Sequence, residues 1–163
     1  MRFKPYSAFG WVVFTAAADA GEQRVLQLGE QGRHPGYYFM LKGRSTNIDA
    51  ATGARYPDRV AGMLNREAGQ VAAEPIALQV TFTEDTEWLC IPEMHNQGRL
   101  PDVASLMLPA GTQHAAEQGA NLFLAKGEVA VADKRLVGPC QIRVRSGAAT
   151  IAAVTDSYLL EFR

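Results

Sequence analysis

Between Arg24 and Phe162 the sequence breaks into short runs of β-branched, aromatic and aliphatic residues, each closed by glycine, proline or a polar turn. The runs are Arg24–Leu28, Tyr37–Lys42, Ile76–Phe82 and Glu87–Ile91, then Ser105–Leu108, Asn121–Ala125, Glu128–Ala132, Gln141–Arg145, Ala149–Val154 and Ser157–Phe162. Within QIRVR, Ile142 and Val144 alternate with Arg143 and Arg145, the period of a half-buried strand. Many short strands with regular turns predict an all-β sandwich or barrel. Only Asp58–Ala68 reads as helix, because Val60, Met63 and Leu64 fall on one helical face.

The chain also repeats itself. LQLGEQGRH (Leu26–His34) parallels LMLPAGTQH (Leu106–His114), FMLKG (Phe39–Gly43) parallels FLAKG (Phe123–Gly127), and TEDTEWLCI (Thr83–Ile91) parallels VTDSYLLEF (Val154–Phe162). The same order of blocks in both halves predicts a duplicated β unit. The polar stretch Met94–Asp102 is the expected join, giving an N-terminal arm with a first module over 1–95 and a second over 96–163, packed together.

Composition bounds the function. A length of 163 residues, 47% apolar and 20% charged, suits a globular domain, and a net charge of -1 favours neither nucleic acid nor an anionic membrane. The N-terminal MRFKPYSAFGWVVFTAAADA has the basic start and apolar run of a secretory signal. Its apolar part is short, and Trp11–Phe14 reads as a strand. Cys90 and Cys140 form no CxxC pair and read as buried free thiols in a reducing compartment. No phosphate loop, nucleophile elbow or H-E-x-x-H is present.

With Pro109-Ala110-Gly111 as its turn and ANLFLAKGEV as its closing strand, the second half resembles the cupins, small jelly-roll barrels that often occur in tandem. The resemblance covers Ser105–Phe162 and, through the repeat, Leu26–Ile91. It implies two cupin-like modules, each a double-stranded β-helix barrel, with little helix. Cupin metal sites use two histidines and a carboxylate from one motif and a third histidine from another. Counting back from Gly127, those positions hold His114, Ala116 and Ala120, and Thr150 stands at the third histidine. One ligand of four cannot hold a divalent ion against water, so neither metal nor other cofactor is expected.

His34 and His114 remain as possible ligand or interface contacts, at matching repeat positions. Asp85 and Asp156 read as turn residues capping their own backbone. A Cys90–His95 nucleophilic pair would need an exposed, activated thiol, which the apolar run WLCI argues against. Tyr37, Tyr38, Phe39 and Trp88 read as core rather than a sugar platform. No catalytic residue is expected. The turn Asp85-Thr86, then Trp88 and the tail Ile91–His95, is also similar to small cupin-like proteins of tailed bacteriophages. That likeness implies a non-enzymatic structural protein of a phage particle, a decoration, collar or tail-associated component located in the virion. Its partners would be copies of itself and other virion proteins, not nucleic acid or membrane. The alternative is a metal-free cupin, cytoplasmic, that binds or isomerises a small polar ligand such as a sugar, with His114 as contact or base.

Overall fold

The computed structural model describes residues 1–28, 36–67 and 76–163. Its chain divides into two compact units. The first comprises Met1–Tyr6 and Val12–Leu100; the second comprises Pro101–Arg163 with Ser7–Trp11, the tip of the N-terminal hairpin. Among the described residues no helix is long and apolar enough to cross a membrane.

The first nine strands are β1 (Arg2–Ala8), β2 (Trp11–Ala18), β3 (Gln23–Leu28), β4 (Gly36–Lys42), β5 (Arg44–Asp49), β6 (Arg55–Val60), β7 (Leu64–Glu67), β8 (Ile76–Phe82) and β9 (Thr86–Pro92). They form two antiparallel sheets, ordered β1-β2-β9-β4-β7 and β3-β8-β5-β6. Ala16, Ala18, Met40, Trp88 and Cys90 of the first sheet pack with Leu78, Val80 and Phe82 of the second in one buried cluster. Phe82 and Trp88 stack in parallel within it, 5.3 Å apart, an arrangement that adds to their area burial.

The second unit carries β10 (Val103–Leu108), β11 (Gln113–Ala116), β12 (Asn121–Lys126), β13 (Glu128–Val131), β14 (Lys134–Val137), β15 (Cys140–Arg143), β16 (Ala149–Ala153) and β17 (Ser157–Phe162). Its sheets run β10-β17-β12-β15 and β11-β16-β13-β14. This is the order of β2 to β9 over again, so each unit repeats the same eight-stranded, two-sheet jelly roll.

Hydrogen bonds align the repeats residue by residue. Gly21 N–H donates to Phe82 O at 2.7 Å and Gly111 N–H to Ala153 O at 2.8 Å. Ala20 N–H donates to Asp85 Oδ1 at 3.0 Å, and Ala110 N–H to Asp156 Oδ1 at 2.9 Å. The two aspartates therefore tie down another turn rather than cap their own. The blocks ending in Gly43 and Gly127, and those holding Asp85 and Asp156, align as the sequence suggests. The first block does not. Leu106 and Leu108 lie on β10, whose equivalent is β2, whereas Leu26 and Leu28 lie on β3. Pro109-Ala110-Gly111 corresponds to Asp19-Ala20-Gly21. Alternating leucines suit any half-buried strand, so they matched one strand out of place.

The expected helix at 58–68 is a second correction. Asp58–Val60 ends β6, Leu64 opens β7, and Ala68 lies outside the described residues. Gly62 sits at φ +89, and its N–H donates to Met40 O at 2.8 Å while Met63 O accepts from Met40 N–H at 3.0 Å. Pairing with β4 thus holds the segment in a tight strand-to-strand turn, where helical spacing of three apolar residues is coincidental.

Candidate functional site

The inward face of each unit is set by strand register, because side chains opposite one another across a ladder share a face. In the first unit Phe14 pairs with Cys90, Cys90 with Tyr38, and Tyr38 with Asn65. These four residues form one row across β2, β9, β4 and β7. The adjacent row on the same face is Ala16, Trp88 and Met40, all in the core cluster. Phe14 and Tyr38 are half-buried against that cluster, and Cys90 is buried.

At its β4–β7 end this row is polar where a barrel interior should be apolar. Asn65 Nδ2 is fully buried and has no hydrogen-bond partner among the described residues. Native proteins rarely leave such a donor orphaned, and each case asks for an explanation such as a bound group. The Arg59 guanidinium lies over the Tyr38 ring, 6.0 Å from its centroid. Arg59 pairs with Ser45, and Ser45 with the core residue Phe82, which places Arg59 on the inward face of β6. Asn47 and Asp49 share that face through Val80 and Leu78. Both are buried: Asn47 Nδ2 donates to Pro57 O at 3.3 Å, while Asp49 Oδ1 accepts from the N–H groups of Ala51 and Thr52 at 2.8 and 3.3 Å. The Ala51 N–H above all holds the Asp49 carboxyl below its usual range.

Cys90 is no nucleophile. Burial pushes its thiol up to about 12, so it is protonated at neutral pH. His95 is exposed and meets the Phe14 ring at 5.1 Å. Phe14 is thus what His95 and Cys90 share, and no hydrogen bond joins the two among the described residues. The neighbouring Asn96, unremarked in the sequence, is the anchor of this region: its Nδ2 donates to Val12 O and Pro92 O, and its Oδ1 accepts from Val12 N–H at 2.8 Å.

The second unit has filled the same row. Counting from Gly127 and Ser157, the equivalents of Phe14, Cys90, Tyr38 and Asn65 are Ala104, Glu161, Leu122 and Ile142. Leu122 and Ile142 are buried in an apolar cluster with Leu108, Ala116, Val129, Ile151 and Leu159. Glu161 meets Arg163 at 3.5 Å.

The expected histidine contacts fare differently. His34 lies outside the described residues. His114 is half-buried on β11 opposite the buried Ile151, two residues before the buried Ala116. The residue at its repeat position is Arg24, three residues after Gly21 as His114 is three after Gly111. The two histidines are therefore not repeat equivalents. Ala116 lies in the apolar core and Ala120 packs against it. Among the described residues no three His, Cys, Asp or Glu side chains are placed to hold a metal ion. With Ala116, Ala120 and Thr150 at three of the four ligand positions, a cupin metal set does not fit the second unit.

No protein-family profile matches the chain, and no curated protein matches it. Solved structures do. YhaK from Escherichia coli superposes with a TM-score of 0.54 at 12% identity, over 99% of this chain and 92% of that one. YhhW from Escherichia coli gives 0.52 at 14%, over 93% and 79%. A cupin 2 conserved barrel domain protein from Leptotrichia buccalis matches more loosely, at 0.43 and 8% identity over 93% and 82%. The class is an all-β, cupin-like tandem of jelly-roll barrels. At these identities the likeness defines the fold alone.

Proposed function

We propose that this protein is a metal-free, non-enzymatic cupin-like binder whose first unit takes a small polar ligand on its inward face. The observation that carries this reading is the orphaned, buried Nδ2 of Asn65 beside Tyr38 and Arg59, set against the apolar Leu122 and Ile142 at the equivalent row of the second unit. The polar groups converge in the unit that lacks His114, so His114 is neither contact nor base in this reading. A thermal-shift screen of the full chain against sugars, carboxylates and amides tests it. Saturable stabilisation that disappears in Asn65→Ile, which copies Ile142, is the expected result. No stabilisation by any class would refute it.

A structural role in a tailed-phage particle is the second reading. It is favoured by β1, an edge strand with four exposed residues at its start and Phe3 58% exposed, which suits pairing with another copy. Mass in solution discriminates: this role requires a defined homo-oligomer that Phe3→Asp dissociates, and a monomer at high concentration would rule it out.

A further inference from the structure

We propose that β10 is a docking edge for a second copy of this chain, pairing antiparallel with its own counterpart about a two-fold axis at Ser105; the contact is separate from the ligand site of the first unit. Three observations converge on it.

First, β10 is an open edge where the first unit has a covered one. Its equivalent β2 is flanked by β1, whereas β10 pairs only with β17 among the described residues. Arg163 N–H donates to Asp102 O at 2.9 Å, which fixes the phase of the ladder. Ala104, Leu106 and Leu108 turn their N–H and C=O groups to β17, and Val103, Ser105 and Met107 turn theirs away from it. Ser105 and Met107 are exposed, Met107 by 51%.

Second, β10 lacks the devices that keep an edge from pairing. Natural edges are blunted by charge, proline or brevity. The edge strands β1, β3, β6, β7, β14 and β15 each contain arginine, and β1 and β6 contain proline as well. β11 has no arginine, lysine or proline, but it is four residues long. β10, VASLML, has six residues with no charge, proline or glycine.

Third, the strand is complementary to itself. Pro101 and Pro109 stand at equal distances on either side of Ser105. Neither can donate to a ladder, so both copies end their pairing at the same points. With Ser105 opposite Ser105 of the partner subunit, Val103 lies opposite Met107 of the partner subunit, and Ala104 opposite Leu106 of the partner subunit. The outward N–H and C=O groups of Val103, Ser105 and Met107 are then all bonded. The exposed Met107 packs on a β-branched neighbour, the serine hydroxyls meet, and no like charges face each other within the strand. Sliding the copies by two residues leaves outward groups unbonded. Such a contact is isologous and closes at two copies, joining the two four-stranded sheets into one.

The test is the mass of the full chain in solution, by light scattering after gel filtration. It compares wild type, Ser105→Lys, Ser105→Glu, an equimolar mixture of those two variants, and Phe3→Asp. Wild type is expected at twice the mass of one chain. Each Ser105 variant sets like charges face to face on the two-fold axis and should be monomeric. Mixing them places lysine opposite glutamate and should restore the dimer, which also shows that both variants fold. Phe3→Asp leaves β10 intact and should remain dimeric. Amide exchange at Ser105 and Met107 should be slow in the wild type and fast in either Ser105 variant, with Ala104 and Leu106 protected throughout. A monomeric wild type, a dimer that survives both Ser105 charges, or variants that fail to recombine overturns the proposal. A dimer lost in Phe3→Asp but kept in the Ser105 variants assigns the contact to β1 and overturns it as well.

Discussion

Gly43 and Gly127 occupy the same place in the two units, at φ +81 and +106, each against the turn before the last strand. A Cβ at Gly43 would lie 2.6 Å from Asp85 O, and one at Gly127 would lie 2.6 Å from Asp156 O. Backbone oxygen cannot yield as a flexible side chain can. Gly43→Ala and Gly127→Ala should each cost about 2–4 kcal/mol, combining a clash with left-handed strain. Gly53, at φ +72 with open space around it, should cost only about 1 kcal/mol on the same change. Urea titration of the three variants decides this. Cys90 gives a second residue-scale test. Its thiol titrates near 12 because burial disfavours the thiolate, whereas an unfolded cysteine titrates near 8.5. The folded state therefore holds the proton more tightly. The associated stability is intact below the unfolded value and is lost as pH rises from there through about 12. Alkylation at pH 8 should leave Cys90 unmodified in the native protein and modify it in denaturant.

At the scale of elements, Asp85 and Asp156 each pin a turn that opens the second strand of a unit. Asp85→Ala and Asp156→Ala should lose about 1–2 kcal/mol each by releasing the Ala20 and Ala110 N–H groups. Hydrogen exchange should speed at those two amides, and unchanged protection would remove the tether. Strands with apolar or aromatic runs were legible in the sequence: β4, β8, β9, β12 and β17 lie where their residues suggest. Three of the strands that escaped notice share a physical reason, which does not extend to the interior strand β5. β1 contains Pro5 and β6 contains Pro57, and both lie at sheet edges, where a missing N–H costs no ladder bond. β14, KRLV, is likewise an edge, with Val137 66% exposed. These three edges bury few side chains and so leave little periodic trace, unlike β15, an edge whose Ile142 is buried. The turn at Gly62 failed in the opposite sense, since its apolar spacing mimics a helix and only pairing with Met40 decides the matter.

For the whole molecule, duplication was readable because glycine and aspartate are demanded by backbone geometry at fixed places. The candidate site was not. Phe14, Tyr38, Asn65 and Cys90 lie on four strands, and nothing in one dimension signals that register places them side by side. The sequence drew attention to His114 because histidine carries chemistry, and the structure sets it across the ladder from the buried Ile151. What separates the units is the row at Leu122 and Ile142, which is visible only after the repeats are aligned through Gly43 and Gly127. Installing the polar row by Leu122→Tyr with Ile142→Asn should lower stability by about 2–5 kcal/mol, since it buries new polar groups in a packed core, as thermal unfolding would show.

Backbone and side-chain amide shifts of the full chain, followed during titration with whichever sugar, carboxylate or amide stabilises it in the thermal-shift screen, test the central claim most directly. The account predicts saturable changes gathered at Phe14, Tyr38, Asn65 and Cys90, with the second unit silent. Changes centred on His114 and Ile151 instead would contradict it.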